Sequence, residues 1–280
     1  MKLDYSNSEM VDQYFIELFP GVVPTDEDLF FGRLSAYRVA EDRKNKADAE
    51  EKRRIRYEMA TRMWTVDEMK DVAIEAGKII GINEGFDFVI DEQNKRVFEL
   101  LCLYFTNDKR FEEHGVGDMK YSLSKGIWLQ SANPGTGKSV MLRAFYRNKR
   151  MCFGYKHTSE LAVMFQKGGY DAIDRFIGTI QQPSSPINFY QNECGFMYDE
   201  MFGEDKVMHM GSPISISSYI INSLYDFGSG QKGNMWKFHV TSNVDGSDIE
   251  AIAGKKFRSR MPDMFNLIKL DGADRRIKKA

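Results

Sequence analysis

The sequence predicts an α/β protein, with a parallel β-sheet flanked by helices and a smaller helical region in front of it. Two observations predict this fold class. After Lys125, short apolar runs alternate with helix-length patterns, as they do where buried parallel strands are joined by helices. Before residue 110, apolar residues recur at helical spacing, and no series of alternating strands is present.

Composition and charge limit the class of protein. The chain has 280 residues, 42% hydrophobic and 29% charged, as in an ordinary soluble protein with a sizeable core. Lys and Arg number 39 against 41 Asp and Glu, so bulk positive charge does not hold this protein to nucleic acid. The N-terminus lacks the apolar core of a signal peptide, and no apolar run approaches the roughly 20 residues that span a bilayer. We expect a soluble, cytoplasmic protein.

Three cysteines, Cys102, Cys152 and Cys194, lie far apart in the sequence. No pair has the spacing of a zinc site or of a redox motif, and a sparse, odd number argues against a disulfide framework. We therefore expect these side chains to be buried as small apolar residues.

The first predicted helix lies within residues 39–64, which are dense in both signs of charge. Ile55, Met59 and Met63 recur at helical spacing and form one narrow apolar stripe, while the mixed charges are typical of a solvated surface. Such a helix either packs on its own domain or docks a partner, and the sequence leaves both possibilities open.

Two further helices are predicted before the sheet. The second begins after Thr65, where Glu68 supplies the carboxylate of a capping box, and is expected to stop near Gly77 to Gly81. The third spans residues 93–105. Residues 111–124 are polar and contain glycine, so we interpret them as the connection between a helical domain of residues 1–110 and a sheet domain of residues 125–280.

The sheet domain contains five apolar runs of strand length. The runs are residues 126–130, 151–155, 194–200, 235–243 and 266–270.

The first strand leads into a glycine-containing loop, residues 131–139 (SANPGTGKS), and a helix-like segment follows. This strand–loop–helix context is that of a P-loop, in which glycines let backbone N–H groups turn inward around phosphates. Lys138 would reach the β- and γ-phosphates of ATP, and the Ser139 hydroxyl would bind Mg²⁺. The residues expected to contact the nucleotide are Asn133, Pro134, Gly135, Thr136, Gly137, Lys138, Ser139 and Val140.

One position departs from the P-loop pattern. Ala132 stands where the first glycine usually lies, and alanine fits there if its φ is negative. With this loop, the predicted fold is that of a P-loop NTPase.

The third predicted strand ends in two acids, Asp199 and Glu200. In an α/β sheet the carboxyl ends of the strands face the ligand, and we expect the end of this strand to lie beside the phosphate loop. Asp199 would then hold the Mg²⁺ ion, and Glu200 would orient or deprotonate the attacking water.

Two more motifs follow. The fourth strand ends in Thr241-Ser242-Asn243, and the amide of Asn243 could position the same water. Lys255 to Met261 carries four positive charges in seven residues, which form either a solvated basic helix or the source of an arginine delivered to a neighbouring subunit's ATP.

The order of these motifs resembles that of the AAA+ ATPases of the bacterial helicase-loader type (DnaC-like), and the related transposition helper ATPases (IstB-like) share much of it. The resemblance covers roughly Leu123 to Arg276 and is most specific in the stretch FRSRMPDMFNLIKLDGADRR. It identifies Lys138 and Ser139 with Walker A and Asp199 and Glu200 with Walker B.

The same resemblance identifies Asn243 with the sensor residue and Arg260 with the arginine finger, with Arg258 as a second candidate. No lid domain with a sensor arginine is recognisable after the last strand, as in helicase loaders. In that family a helical N-terminal domain binds the replicative helicase, and the ATPase domain assembles into a spiral on single-stranded DNA. The resemblance therefore implies ATP, Mg²⁺, a replicative helicase, single-stranded DNA and copies of the chain itself as ligands and partners.

Contacts to single-stranded DNA usually combine basic residues with aromatic platforms. Lys156-His157 and Lys167 to Tyr170 are candidates for such contacts.

Three alternatives to a helicase loader remain open. The first is a transposition helper that wraps duplex DNA and recruits a transposase. The second is a nucleotide-gated binding module with negligible hydrolysis, which Ala132 favours and Glu200 disfavours. The third is a small-molecule P-loop kinase, which usually carries arginines in a lid over the donor.

Overall fold

The computed structural model describes residues 25–177, 180–181, 193–203, 206–209, 211–229, 235–244 and 248–275, with the single residues 13, 17, 20 and 21. Residues 276–280 lie outside the described residues. Contacts divide the chain into two compact units, Met1–Thr61 and Arg62–Ala280. No described helix is both long enough and apolar enough to cross a membrane.

The first unit contains helix α1 (Asp26–Thr61), which begins well before the predicted start at residue 39. Thr25 and Asp28 fix this start, because the Thr25 backbone N–H donates to Asp28 (2.9 Å) and the Asp28 N–H donates to the Thr25 hydroxyl (3.2 Å). The predicted stripe residues Ile55 and Met59 are exposed.

The second unit begins with helix α2 (Val66–Glu84), and the predicted capping box between Thr65 and Glu68 is confirmed. The helix does not stop at Gly77 to Gly81 but continues to Gly85, whose φ of 81° forms the left-handed cap.

Gly77 and Gly81 do not end the helix; they allow another part of the chain to approach it closely. A Cβ at Gly77 would lie 2.4 Å from the Phe88 ring, and one at Gly81 would lie 2.5 Å from the Phe86 carbonyl oxygen. The glycines therefore let the chain after α2 fold back against the helix.

Helix α3 (Lys95–Phe105) follows as predicted, and its apolar face is buried. A 3-10 helix (Lys109–Glu113) and a short hairpin of β1 (Gly115–Val116) and β2 (Met119–Lys120) occupy the expected connection. The end of this connection is bound to the sheet, because Asn266 exchanges two hydrogen bonds with the Ser122 backbone, at 2.7 and 2.8 Å.

Five parallel strands form the central sheet, in the order β10-β3-β9-β6-β4. Their bounds agree with the predicted runs to within a few residues, and residues 126–130 are confirmed without change. The strands are β3 (Gly126–Gln130), β4 (Phe153–His157), β6 (Glu193–Asp199), β9 (Phe238–Ser242) and β10 (Phe265–Lys269). A two-residue strand, β5 (Ile180–Gln181), pairs antiparallel with the start of β6.

Helices and one hairpin complete this unit. They are α4 (Lys138–Arg143), α5 (Thr158–Asp174), the hairpin of β7 (Lys206–His209) and β8 (Ser212–Ser215), α6 (Ile216–Ser229), the 3-10 helix Met235–Lys237, α7 (Ile249–Ala253) and α8 (Lys255–Met264). Helix α5 is kinked at Gly169, which has φ 63° and ψ −151°.

The core consists of two hydrophobic clusters, one on each face of the sheet. Trp128 belongs to the cluster that contains residues of α5, α6 and α8, whereas its neighbours Ile127 and Leu129 belong to the cluster with α2, α3 and α4. Successive residues of a strand point to opposite faces, so β3 separates the two clusters.

Helices α2 and α3 therefore belong to the same compact unit as the sheet. The sequence places the boundary of a helical domain at residue 110, whereas the contacts divide the chain after Thr61. The physical reason is the shared core: Met69 of α2 and Leu101 of α3 are fully buried in the cluster that also contains Leu129 of the sheet.

The cysteines are more varied in placement than expected. Cys102 and Cys194 are buried, but Cys152 is partly exposed. Cys152 and Cys194 lie side by side at the starts of β4 and β6, where the Gly195 N–H donates to the Cys152 carbonyl at 3.0 Å. The neighbouring Cys152 thiol, and then burial, raise the pKa of the Cys194 thiol.

Candidate functional site

The predicted phosphate loop connects β3 to α4, as its sequence context requires. Gly135 and Gly137 have φ of 74° and 90°, in the left-handed region that favours glycine. Among the described residues, positive φ at positions other than glycine occurs at Asn107, Glu200 and Phe202, so Ala132 has the negative φ that alanine needs. The departure from the usual motif is therefore compatible with the loop backbone.

Lys138 is buried, and its ammonium group bonds to a residue far along the chain. Its Nζ donates to Asn243 Oδ1 at 2.6 Å, and it lies 3.4 Å from the Asn133 carbonyl oxygen and 3.5 Å from the Thr136 hydroxyl. The loop lysine and the amide at the end of β9 thus meet at one point, although 105 residues separate them.

Asp199, at the end of β6, is buried beside the loop and accepts hydrogen bonds on both carboxylate oxygens. Oδ1 accepts from Ser139 Oγ at 2.6 Å and from the Thr241 hydroxyl, while Oδ2 accepts from the Tyr155 hydroxyl at 2.8 Å. Burial, and then the Asp199 carboxylate, raise the pKa of Tyr155 well above its usual range, so the phenol remains a hydrogen-bond donor.

The residues at this point fit a magnesium ion. Mg²⁺ prefers oxygen ligands and is usually held by one or two carboxylates together with substrate phosphates. The Ser139 hydroxyl and the Asp199 carboxylate supply two such oxygens within contact of each other. Among the described residues, no group of three or more His, Cys, Asp or Glu side chains could hold a metal ion. The two oxygens would therefore bind Mg²⁺ together with phosphates of the substrate.

Glu200 follows Asp199 in a left-handed conformation, with φ 56°. Its N–H donates to the Thr241 hydroxyl at 3.1 Å, and this bond supports the unusual backbone. The carboxylate is partly exposed, and its Oε2 lies 3.1 Å from His157 Nε2. His157, which the sequence suggested as a DNA contact, is therefore placed against Glu200.

The order of the strands determines which strand ends lie near the phosphate loop. Strand β6, which carries Asp199, does not pair with β3; strand β9 lies between them and pairs with both. This order places Thr241 and Asn243 at the end of the strand that separates β3 from β6. The chain has the α/β fold of the P-loop NTPases.

No protein family and no curated protein sequence matches the chain. Among solved structures, it is similar to AMPPCP-bound DnaA from Aquifex aeolicus, with 15% sequence identity and a TM-score of 0.39. The similarity covers 66% of this chain and 48% of the DnaA chain, so the match spans about half the length of that protein.

Most of the predicted site residues line a cavity of about 890 Å³, but Asn133, Pro134, Arg258 and Arg260 are not part of its lining. One wall is the phosphate loop with Lys138 and Ser139, and the ends of β6 and β9 contribute Asp199, Glu200 and Asn243. Another part of the lining comes from the end of α2 and the segment after it, residues 84–89, and Arg275 lines the cavity as well.

Sequence reasoning missed Tyr155, Thr241 and Arg275 as members of the site. Tyr155 and Thr241 lie at or near the carboxyl ends of strands, the position that already identified Asp199 and Asn243, so this rule could have found them. Nothing in the sequence places Arg275 near the loop.

The two candidate arginines of α8 differ in their surroundings. Arg260 NH1 donates to Asn222 at 3.0 Å, and its guanidinium stacks on the Tyr225 ring at 4.1 Å, so 15% of its side chain is exposed. Arg258 is 53% exposed, and its contact with Glu250 is 3.2 Å long.

The candidate DNA contacts on β4 and α5 are held locally. Lys156 lies 3.4 Å from Glu160, and the Tyr170 ring packs against Phe165 (5.0 Å) and Tyr219 (4.8 Å). Lys167 is exposed on α5, one residue before the kinked glycine pair.

Proposed function

We propose that this chain is an AAA+ ATPase that uses Mg²⁺ and ATP, assembles with copies of itself, and loads or remodels a replicative helicase on single-stranded DNA during DNA replication. One observation carries the ATPase part of the proposal: a single cavity is lined by residues from three separate motifs. These residues are Lys138, Ser139, Asp199, Glu200 and Asn243.

Each of these groups has a role in the proposed reaction. Lys138 binds the β- and γ-phosphate oxygens and Asn243 orients that ammonium group, to which it is bonded at 2.6 Å. Ser139 and Asp199 would hold Mg²⁺, which neutralises negative charge on the transferred phosphoryl group when bound. Glu200 orients the attacking water and accepts its proton, so that ATP and water give ADP and phosphate.

Assembly is proposed because this chain offers an exposed arginine for a neighbouring site. A cation supplied by the next subunit stabilises charge on the transferred phosphoryl group, and such a head-to-tail contact generates rings or spirals. The exposure of Arg258 favours it for this role, while the contacts of Arg260 with α6 favour a role in holding α8. Arg260 therefore becomes the second candidate.

The partner and DNA parts of the proposal rest on the motif resemblance. Helix α1, with exposed Phe30, Ile55 and Met59, is the segment we propose for helicase docking. Lys156, Lys167 and Tyr170 remain candidates for contacts to single-stranded DNA. Co-purification with a replicative helicase would support this proposal. Recovery of a transposase without a helicase would instead indicate a transposition helper.

Nucleotide binding and turnover by two variants test the ATPase proposal. Glu200→Gln should keep ATP binding and lose about 100-fold or more in turnover, because the proton acceptor is removed. Lys138→Ala should lose ATP binding, because the phosphates lose their buried cation. Titration calorimetry and phosphate release measure the two effects.

Glu160→Gln is the matched control for this test, since Glu160 is an exposed carboxylate of α5 whose recorded ion pair is with Lys156. It should leave both binding and turnover unchanged. Equal turnover by Glu200→Gln and wild type would remove Glu200 from the reaction. ATP binding by the wild type without turnover would indicate a nucleotide-gated binding module instead.

A further inference from the structure

The segment that follows the last strand, residues 271–275 and here called the tail segment, lies against the phosphate loop. Asn133 Nδ2 donates to the Gly272 carbonyl at 3.2 Å, and the Arg275 N–H donates to the Gly135 carbonyl at 2.9 Å. The tail segment is thus bound at two points to the loop that would hold the phosphates, once through the Asn133 side chain and once through the Gly135 backbone.

Both loop glycines are packed against side chains of the tail segment. A Cβ at Gly135 would lie 1.9 Å from Asp274 Oδ1, and one at Gly137 would lie 3.5 Å from Arg275 Cδ. The Arg275 side chain therefore passes over Gly137, which precedes Lys138. Arg275 also lines the cavity proposed to bind the nucleotide.

The guanidinium of Arg275 is paired with a carboxylate of the segment between α2 and α3. Arg275 NH2 lies 2.8 Å from Asp91 Oδ1, and the two side chains are 28% and 43% exposed. Asp91 also accepts the backbone N–H groups of Gln93 and Asn94 at the start of α3, at 3.0 and 3.3 Å. The hydrogen bond from Arg275 is the main cause that lowers the pKa of Asp91.

A phosphate in the loop would compete with Asp91 for this arginine. Guanidinium groups bind phosphate oxygens through paired, charge-assisted hydrogen bonds, and the phosphates of ATP carry more negative charge than one carboxylate. The arginine stem already crosses the loop, so its head needs only a rotation of the side chain to leave Asp91. Asp91 keeps its two backbone donors when Arg275 leaves.

We propose that Arg275 exchanges Asp91 for a phosphate oxygen of the bound nucleotide, so that nucleotide binding is sensed by the tail segment and by the start of α3. This inference rests on the proposed nucleotide site and assigns it a further binding residue and a competing carboxylate. Asp91 then weakens nucleotide binding, and Arg275 strengthens it.

The test is ATP affinity, measured by calorimetry on the full chain with two single variants and their double variant. Arg275→Gln should weaken ATP binding about tenfold, because one charge-assisted phosphate contact is lost. Asp91→Asn should tighten ATP binding several-fold, because Arg275 no longer has to leave a carboxylate. The double variant should bind ATP as Arg275→Gln does, since Asp91 acts only through Arg275.

Lys269→Gln is the matched control, because Lys269 is a partly exposed cation at the end of β10 that lies 3.8 Å from Asp271. It removes the same charge outside the cavity and should leave ATP affinity unchanged. Thermal unfolding of each variant without nucleotide should stay close to wild type, because exposed ion pairs contribute little to stability.

Two results would overturn the inference while the proposed function stands. In one, the wild type binds ATP and Arg275→Gln binds it equally well. In the other, Asp91→Asn weakens binding as much as Arg275→Gln does, which is the behaviour of a purely structural ion pair. Absence of ATP binding by the wild type would overturn the proposed function and this inference together.

Discussion

Arg258 and Arg260 lie two positions apart on α8, yet their environments differ. The guanidinium of Arg260 is hydrogen-bonded to Asn222 and stacked on Tyr225, both on α6, so removing it leaves a gap between two helices. Arg258 extends toward solvent beside Glu250. The sequence RSR does not show this difference in environment, because the two arginines look equivalent in it.

Substitution of each arginine should therefore give a different defect. Arg258→Ala should lower ATP turnover at protein concentrations that allow assembly, without changing the unfolding temperature. Arg260→Ala should lower the free energy of unfolding by about 1–2 kcal/mol, because a hydrogen bond and a cation–π contact are lost. Turnover against protein concentration and thermal unfolding measure the two effects.

If instead Arg260→Ala lowered turnover without a change in unfolding temperature, and Arg258→Ala lowered the stability, Arg260 would be the arginine proposed to act on the neighbouring subunit's ATP. Turnover that is independent of concentration and insensitive to both substitutions would remove the oligomeric mechanism.

At the scale of elements, helix α2 contains two glycines that the sequence suggests as a helix end but that have another role in the structure. Gly77 and Gly81 look like the end of a helix, because glycine is a poor helix former. In the structure both are buried in α2, where the returning chain at Phe86 and Phe88 leaves no room for a side chain. The same returning chain forms one wall of the cavity, so the glycines also shape the site.

Gly81→Ala should destabilise the unit of residues 62–280 by about 1–3 kcal/mol, because the new methyl group would overlap the Phe86 carbonyl oxygen. This loss should outweigh the gain of about 1 kcal/mol in helix propensity. Denaturant unfolding measures the change, and Lys78→Ala, at an exposed position of the same helix, should stay within about 0.5 kcal/mol of wild type. A Gly81→Ala chain that is as stable as wild type would show that the returning segment moves freely.

At the scale of the whole sheet unit, the core on the α3 side contains a buried histidine that carries no charge at neutral pH. His239 of β9 is fully buried, accepts the Ile127 N–H on Nδ1 at 3.3 Å, and lies against the rings of Phe105 (5.2 Å) and Phe153 (4.9 Å). Its Nε2 has no hydrogen-bond partner among the described residues. Burial, and then Arg150, lower the pKa of His239 to about 3.

This buried histidine makes the stability of the unit depend on pH. In the unfolded chain His239 takes up a proton near its ordinary pKa of about 6.5, whereas in the folded chain it stays neutral until about pH 3. Between these values the unfolded state binds more protons, so the free energy of unfolding falls as the pH is lowered, by up to about 1.4 kcal/mol per pH unit. Denaturant unfolding from pH 7.5 to 5.5 measures this slope.

His239→Asn is the comparison, because it keeps a polar group near Nδ1 and cannot titrate. It should be less stable than wild type at pH 7.5 and should lose most of the slope below pH 6.5. Equal slopes in the two proteins would show that other groups cause the acid sensitivity.

The sequence was sufficient for features that depend on neighbouring residues. The capping box at Thr65, the strand at residues 126–130 and the loop glycines are local patterns of backbone geometry and polarity, and all are found in the structure. The predicted fold class follows from the same local signals, because apolar runs of strand length joined by helices leave few arrangements other than a parallel sheet.

Only the tertiary structure decided which distant residues meet. It placed β9 between β3 and β6, joined Lys138 to Asn243, and moved α2 and α3 into the sheet unit. Strand order and helix docking depend on which apolar faces bury each other, and that choice leaves no local pattern in the chain.

The clearest examples are residues that seemed isolated or unremarkable in the sequence. Cys152 and Cys194 became neighbours because their strands pair in register, and Arg275 reached the phosphate loop because the chain crosses it after β10. The sequence by itself determined the chemistry of the candidate site: a phosphate loop, two acids and a strand-end amide. The fold determined its geometry, because only a closed core fixes the distances between groups that lie up to 184 residues apart, as Asp91 and Arg275 do.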